Sequence, residues 1–288
     1  YSLSCTLQAE KYETVSPNGK LKIKLKIDKG TQYEVWYDNT QLILPSSIGL
    51  HLADGRVIGN GSVKSVKKRK VNQTIDVLVG KNKELQDAYN ELTVSFNDSC
   101  DLVVRAYDEG VAYHFATRLN GEITIISEDA IFNFASTPTI YYPECDANYS
   151  GETDQSGRTH QVHQGYRNFE RLYKVYKGPL EIPYERFAVS PVLYEYPDSP
   201  YKVVVTESNT YDYPALYMES NGYNSMRGKW ANYPKETIDS DPSNPYYWYS
   251  NHLVVTRENY IAKTDGNRSF PWRVIIVSED DKSLLNNE

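Results

Sequence analysis

The chain has 288 residues and a formal net charge of −7, enough length for one large or two ordinary domains with a sizeable core. That charge speaks against a nucleic-acid partner, since backbone binding needs clustered Lys and Arg. The one basic run, Lys64 to Lys70, is short and reads as the solvated face of a strand or hairpin. No apolar run approaches the roughly 18 residues of a transmembrane segment. Tyr is unusually frequent, at 26 against 7 Phe and 4 Trp, which suits half-buried strand surfaces where the ring packs and the hydroxyl stays wet.

Leu21, Ile23, Leu25 and Ile27 alternate with lysines, a strict period of two that predicts a strand with one wet face. Ser16-Pro17-Asn18-Gly19 and Lys29-Gly30 are turns on either side. Tyr33 to Tyr37 follows as the partner strand of a hairpin. Leu42 to Leu44 runs into Pro45-Ser46, and Ile48 to Leu52 resumes the strand. Ser62 to Val79 and Tyr89 to Phe96 continue the β pattern. Leu102 to Tyr107 and Val111 to Phe115 flank Asp108-Glu109-Gly110, a strong hairpin signal. Arg105 lies mid-strand near several carboxylates, where an internal ion pair is its expected use.

Ile123 to Ile126 and Ala130 to Phe134 read as two further short strands. Residues 144 to 170 are polar and aperiodic, and a loop that long is usually functional or mobile. It contains His160 and His163, whose spacing could serve a metal, but no third ligand is evident. Leu180 to Tyr196 looks like strand broken by Pro183 and Pro191. Val203-Val204-Val205-Thr206-Glu207 is an apolar strand that ends in a carboxylate and turns through Asp212-Tyr213-Pro214. A strand end is a rigid mount for a functional group, although a carboxylate there is ordinarily just a solvated surface residue. Glu219 to Tyr249 reads as a second long irregular region. Its aromatics, Trp230, Tyr233 and Tyr246 to Tyr249, could stack on sugars or lid a core. His252 to Arg257 and Phe270 to Val277 are the last strands. Amphipathic helix is nearly absent, so the pattern predicts an all-β, two-sheet sandwich.

Cys5, Cys100 and Cys145 allow at most one disulfide and have no zinc-site spacing. Tyr1 to Cys5 loosely resembles a lipoprotein cleavage site, with a free thiol as the alternative; the chain opens as though already trimmed.

Several motifs now stand in order: Ser16-Pro17-Asn18-Gly19-Lys20, Pro45-Ser46 with Leu50, Ser62-Val63-Lys64, Tyr89-Asn90-Glu91-Leu92, Arg105 to Ala112, Glu207-Ser208 with Asp212-Tyr213-Pro214, and Pro271-Trp272-Arg273. As an ordered set they resemble the N-terminal domain of glycoside hydrolase family 97, whose members are α-glucosidases or α-galactosidases chiefly of Bacteroides-type bacteria. The resemblance implies a β-super-sandwich similar to galactose mutarotase over residues 1–278, with 279–288 opening a linker to a catalytic (β/α)8 barrel. It implies a Ca²⁺ ion beside the sugar site, with most ligands from the barrel and one, Glu207, from this segment. Ser208 stands where the family pattern has a small apolar residue.

The same resemblance places both catalytic carboxylates in the barrel, so no catalytic residue is assigned here and this segment alone is expected not to hydrolyse glycosides. A pair drawn from Glu207, Asp212 and Glu219 is the alternative that the two-carboxylate chemistry allows. The implied partners are an α-linked oligosaccharide and the protein's own barrel. The implied location is the periplasm or cell surface of a Gram-negative bacterium. Two other readings stand beside this one. A stand-alone carbohydrate-binding sandwich would use the aromatics around Trp230 and Tyr246 to Tyr249. A mutarotase-like epimerase would need a His–Glu acid/base pair, with His114, His160, His163 and His252 as candidates.

Overall fold

The computed structural model describes residues 9–78, 80–145, 173–183, 186–239, 243 and 252–287. Cys5, His160, His163 and the Tyr246 to Tyr249 cluster lie outside the described residues.

Among the described residues twenty strands carry the fold, and one short helix follows them. The first four are β1 (Glu10–Val15), β2 (Leu21–Ile27), β3 (Thr31–Tyr37) and β4 (Thr40–Leu52), each antiparallel to the next. The period of two in β2 does what it predicts: Leu21, Ile23, Leu25 and Ile27 are buried and the lysines between them are not. β5 (Val57–Ile58) returns on β4. β6 (Val63–Asp76) and β7 (Glu84–Phe96) form a long hairpin whose β6 face carries the basic run into solvent. β8 (Cys100–Ala106) pairs with β7 and turns through Asp108-Glu109-Gly110 into β9 (Gly110–Phe134). Arg105 on β8 donates from Nε to Glu91 at 2.9 Å, the internal pair expected of it. Cys100 is a buried free thiol.

β9 is a single 25-residue strand, not the three short ones that its polar interruptions suggest. The polar stretch around Asn120-Gly121 bends the strand without ending it. Gly121 takes φ 73°, and the facing strand bulges between Asp265 and Asn267. A Cβ on Gly266 would sit 2.8 Å from the carbonyl oxygens of Leu119 and Gly121, so the two backbones bend together only because no side chain stands between them.

The remaining strands are β10 (Thr139–Cys145), β11 (Tyr173–Tyr176), β12 (Phe187–Val189), β13 (Val192–Glu195), β14 (Lys202–Ser208), β15 (Tyr217–Ser220), β16 (Ser225–Lys229), β17 (Pro234–Asp239), β18 (His252–Arg257), β19 (Ala262–Ser269) and β20 (Trp272–Ser278). Leu180 to Tyr196 is less regular than expected. A 3₁₀ turn, Pro179–Glu181, comes first, and a cis Ser190–Pro191 bond separates β12 from β13. The stretch from Glu219 onward is more regular than expected, because β15 and β16 form a hairpin there. Its period is hidden by charge: Arg227 and Lys229 on β16 both pair with Glu219 on β15, at 2.8 and 2.9 Å. A five-residue helix, α1 (Asp281–Leu285), starts where Asp280 accepts from the Ser283 N–H at 2.7 Å, an ordinary N-cap.

The all-β super-sandwich expected from the sequence is therefore the observed architecture, and hydrogen bonding joins its layers through β9. Pairing runs from β9 through β20, β14, β13, β10, β12, β15 and β16 and back to β9. One contiguous apolar core lies inside and takes in Phe132 and Phe134 of β9, Val203 and Val205 of β14, and Ile275 and Val277 of β20. These three strands also carry the charges at the site described next.

Candidate functional site

On β14, Val203, Val205 and Glu207 share one parity, and the two valines are fully buried. On β20, Arg273 shares its parity with buried Ile275 and Val277. On β9, Glu128 shares its parity with buried Ala130, Phe132 and Phe134. A strand sends alternate side chains to one face, so each strand delivers a charged group to its core side. A charge placed there needs partners, since burying an unpaired ion costs several kcal/mol or more.

The three groups find one another. The Arg273 side chain is 1% exposed and donates from Nε to Glu128 Oε1 and from Nη2 to Glu128 Oε2, both at 2.7 Å. This is the two-pronged geometry that guanidinium and carboxylate favour. The third prong, Nη1, donates to Glu207 Oε2 at 2.8 Å. Glu207 directly faces Arg273 across the β14–β20 ladder. The other Glu207 oxygen, Oε1, accepts from the Leu216 backbone N–H at 2.7 Å, and Tyr213 donates its hydroxyl to Glu128 Oε2 at 3.1 Å. The guanidinium lies over the rings of Trp230 and Tyr213, at 5.1 and 5.9 Å.

Burial pushes the Glu207 carboxyl above its ordinary pKa, and the Arg273 charge pulls it back in part. Burial works against the Arg273 cation too, but the Glu128 and Glu207 carboxylates outweigh it and hold its pKa above the usual value. Two carboxylates face one guanidinium, so the cluster keeps one formal negative charge over.

The loop after Glu207 is also tied down. Asn209 and Asp212 take positive φ, 61° and 50°. Arg268 donates from Nη2 to the Tyr211 carbonyl at 2.7 Å and from Nη1 to the Asp212 carbonyl at 2.9 Å. Thr264 bonds to Asp212 Oδ2 at 3.2 Å. Beyond the loop is a mostly apolar cavity of about 350 Å³, lined among others by Tyr213, Pro214, Tyr217, Tyr233 and Ile261. Trp230 belongs to the core, as one of its two expected uses required, whereas Tyr233 is 46% exposed and stacks on Tyr260.

Glu207 is thus no solvated surface residue: its side chain is 8% exposed. The carboxylates of the alternative pair each have a partner of their own. Glu207 is held by Arg273, Asp212 by Arg268 and Thr264, and Glu219 by Arg227 and Lys229. His114 is buried against Trp272, ring centroids 4.0 Å apart. Among the described residues no group of three or more His, Cys, Asp or Glu side chains could hold a metal.

A calcium ion takes six to eight oxygen ligands. The donor chemistry of this chain fits that ion as the source of one ligand: an ionisable carboxylate with a lone pair left on each oxygen, in a cluster of net negative charge. It does not make a complete site. The sequence reading reached Glu207 but not its partners. Arg273 gave a signal, as a single charge at a core-facing position of an otherwise apolar run, whereas Glu128, flanked by Ser127 and Asp129, gave none.

Fold and site together define a large all-β domain with a buried Arg–Glu cluster at a strand end. The chain belongs to the glycosyl-hydrolase 97 N-terminal family, whose model matches residues 14–288. It is 30% identical over 285 residues to a retaining alpha-galactosidase of Bacteroides thetaiotaomicron, covering 97% of this chain but only 41% of that protein. Among solved structures it is similar to a glycoside hydrolase family 97 enzyme from Pseudoalteromonas sp. strain K8 in complex with panose, with a TM-score of 0.70 and 17% identity over 96% of this chain and 37% of that one. It is also similar to a beta-arabinopyranosidase, with a TM-score of 0.66 and 17% identity over 93% and 40% of the two chains. At that identity these structures establish the shared fold. No helix among the described residues is long and apolar enough to cross a membrane.

Proposed function

We propose that this chain is the N-terminal domain of a calcium-dependent, exo-acting α-glycoside hydrolase, and that an α-galactoside is its substrate rather than an α-glucoside. Glu207 contributes one carboxylate to the calcium site, and carboxylates of a catalytic (β/α)8 barrel supply the rest. The observation that carries this reading is the state of Glu207. It stands at the end of β14, fixed through both oxygens, in a cluster with one negative charge to spare. The galactoside preference rests on the 30% identity to a retaining alpha-galactosidase.

Bound calcium would supply Lewis-acid stabilisation of charge developing at the scissile bond. This chain's own work is to orient Glu207 and to shape the rim through the loop that Arg268 pins. The acid and nucleophile carboxylates belong to the barrel, and the location that suits such a protein is the periplasm or cell surface of a Gram-negative bacterium.

The test is hydrolysis of aryl α-galactoside and aryl α-glucoside by the full-length protein. Turnover of the galactoside, with the α configuration kept in the first-formed sugar by NMR, is the expected result. Failure on both substrates would transfer the chain to the stand-alone carbohydrate-binding reading.

A further inference from the structure

We propose that Glu128 and Arg273 are positioning residues for the Glu207 ligand: Arg273 fixes the carboxylate's orientation, and Glu128 offsets the arginine's charge so that Glu207 can still attract a divalent cation. The inference rests on the calcium reading above and adds to it a device within this chain.

Arg273 taken alone would be a poor neighbour for a metal ligand. A guanidinium 2.8 Å from Glu207 Oε2 would neutralise the carboxylate and repel an incoming cation. What changes this is the opposite side of the same guanidinium. Glu128 takes two of its prongs at 2.7 Å each, so most of the positive charge is already matched before Glu207 is counted. Only one hydrogen bond from Arg273 reaches Glu207, and it serves orientation. With the Leu216 N–H on Oε1, the carboxylate plane is fixed from both ends, while each oxygen keeps a lone pair unused by the fold. Tyr213 in turn holds Glu128, and Tyr213 lies in the same loop that Arg268 pins two residues earlier through the Tyr211 carbonyl. The ligand, its orienter and the orienter's counter-charge are therefore held by three strands and one loop. Outer partners of this kind tune metal affinity through the ligands that they orient.

The experiment is calorimetric titration of calcium into the full-length, chelator-stripped protein, comparing wild type with Glu207→Gln, Glu128→Gln, Glu128→Asp and Arg273→Lys. Melting temperatures of the calcium-free proteins are measured alongside. Glu128→Gln should weaken calcium binding by roughly 10–100-fold, the range typical of outer-shell changes. Glu128→Asp, which keeps the charge, should recover most of that loss, and a purely packing role would not produce such recovery. Should Glu128→Gln fail to fold, Arg273→Lys decides, since it keeps the charge but loses the fork and should weaken binding comparably. A folded Glu128→Gln or Arg273→Lys protein with calcium affinity within about twofold of wild type would overturn the positioning role, even if Glu207→Gln abolished binding. Calcium affinity that is absent in wild type, or unchanged in Glu207→Gln, would overturn the metal reading itself, and this inference with it.

Discussion

Replacing Arg273 with methionine should destabilise the fold by roughly 3–5 kcal/mol, the cost of breaking a buried ion pair by removing one partner. The side chains of Arg273, Glu128 and Glu207 are 1%, 5% and 8% exposed. Methionine fills much the same volume but leaves both carboxylates without their cation. Each is then left as an unpaired charge in a poorly solvated site. Removing all three charges together, as Arg273→Met with Glu128→Leu and Glu207→Leu, should restore most of the lost stability, because the desolvation penalty disappears with the charges. Urea unfolding read by tryptophan fluorescence is a suitable measurement, since Trp230 sits 5.1 Å from the Arg273 guanidinium. A cost under about 1 kcal/mol for Arg273→Met, as an exposed pair would show, would mean that the cluster is solvated rather than buried.

The second large effect concerns His114. Burial first, and the nearby Arg105 charge second, lower its pKa from 6.5 to about 4, against smaller opposing influences of hydrogen bonding to the Phe115 and Phe270 backbone and of the Glu91 charge. Its Nδ1 atom is buried without a hydrogen-bond partner. In the unfolded chain His114 binds its proton near pH 6.5, but in the folded chain only near pH 4. Between those values the unfolded state holds more protons, so stability falls as the pH drops through that window. The difference amounts to about 2–3 kcal/mol between pH 7 and pH 4.5. His114→Phe keeps an aromatic ring against Trp272 and removes the titration. Urea stability measured from pH 7 to pH 4.5 should therefore fall less steeply in the variant by that amount. Parallel profiles for wild type and variant would show that His114 is protonated without cost in the native state.

The hairpins were legible wherever polar and apolar residues alternate strictly between turn residues, as in Leu21 to Tyr37 and around Asp108-Glu109-Gly110. They became illegible where a second interaction disguised the period. The polar residues between Phe115 and Ile123 read as a break, and the glycine opposite at 266 lets the strand bend through them. Arg227 and Lys229 read as loop polarity, and only pairing with Glu219 makes them strand residues. Glu207 could be singled out because it ends an apolar run, but its environment could not. Its partners, Arg273 and Glu128, are contributed by other strands, and those two residues lie 145 positions apart in the chain. Strand parity does reveal that Arg273 faces the core, whereas Glu128 falls between two short stretches and gains a parity only from the continuous β9. What it leaves open is which buried charge meets which, because that depends on how strands distant in sequence come together in register.

The most direct test of the account is the calcium dependence of aryl α-galactoside hydrolysis by the full-length protein, measured for wild type and Glu207→Gln across a range of free calcium set by chelator. Wild type should lose activity on chelation and regain it with calcium. Glu207→Gln should need at least about tenfold more calcium for half-maximal rate, since the amide keeps a neutral oxygen but not the charge that a hard cation seeks. Identical calcium curves for the two proteins would contradict the account, leaving the fold and family intact but reducing Glu207 to one arm of a structural ion-pair cluster.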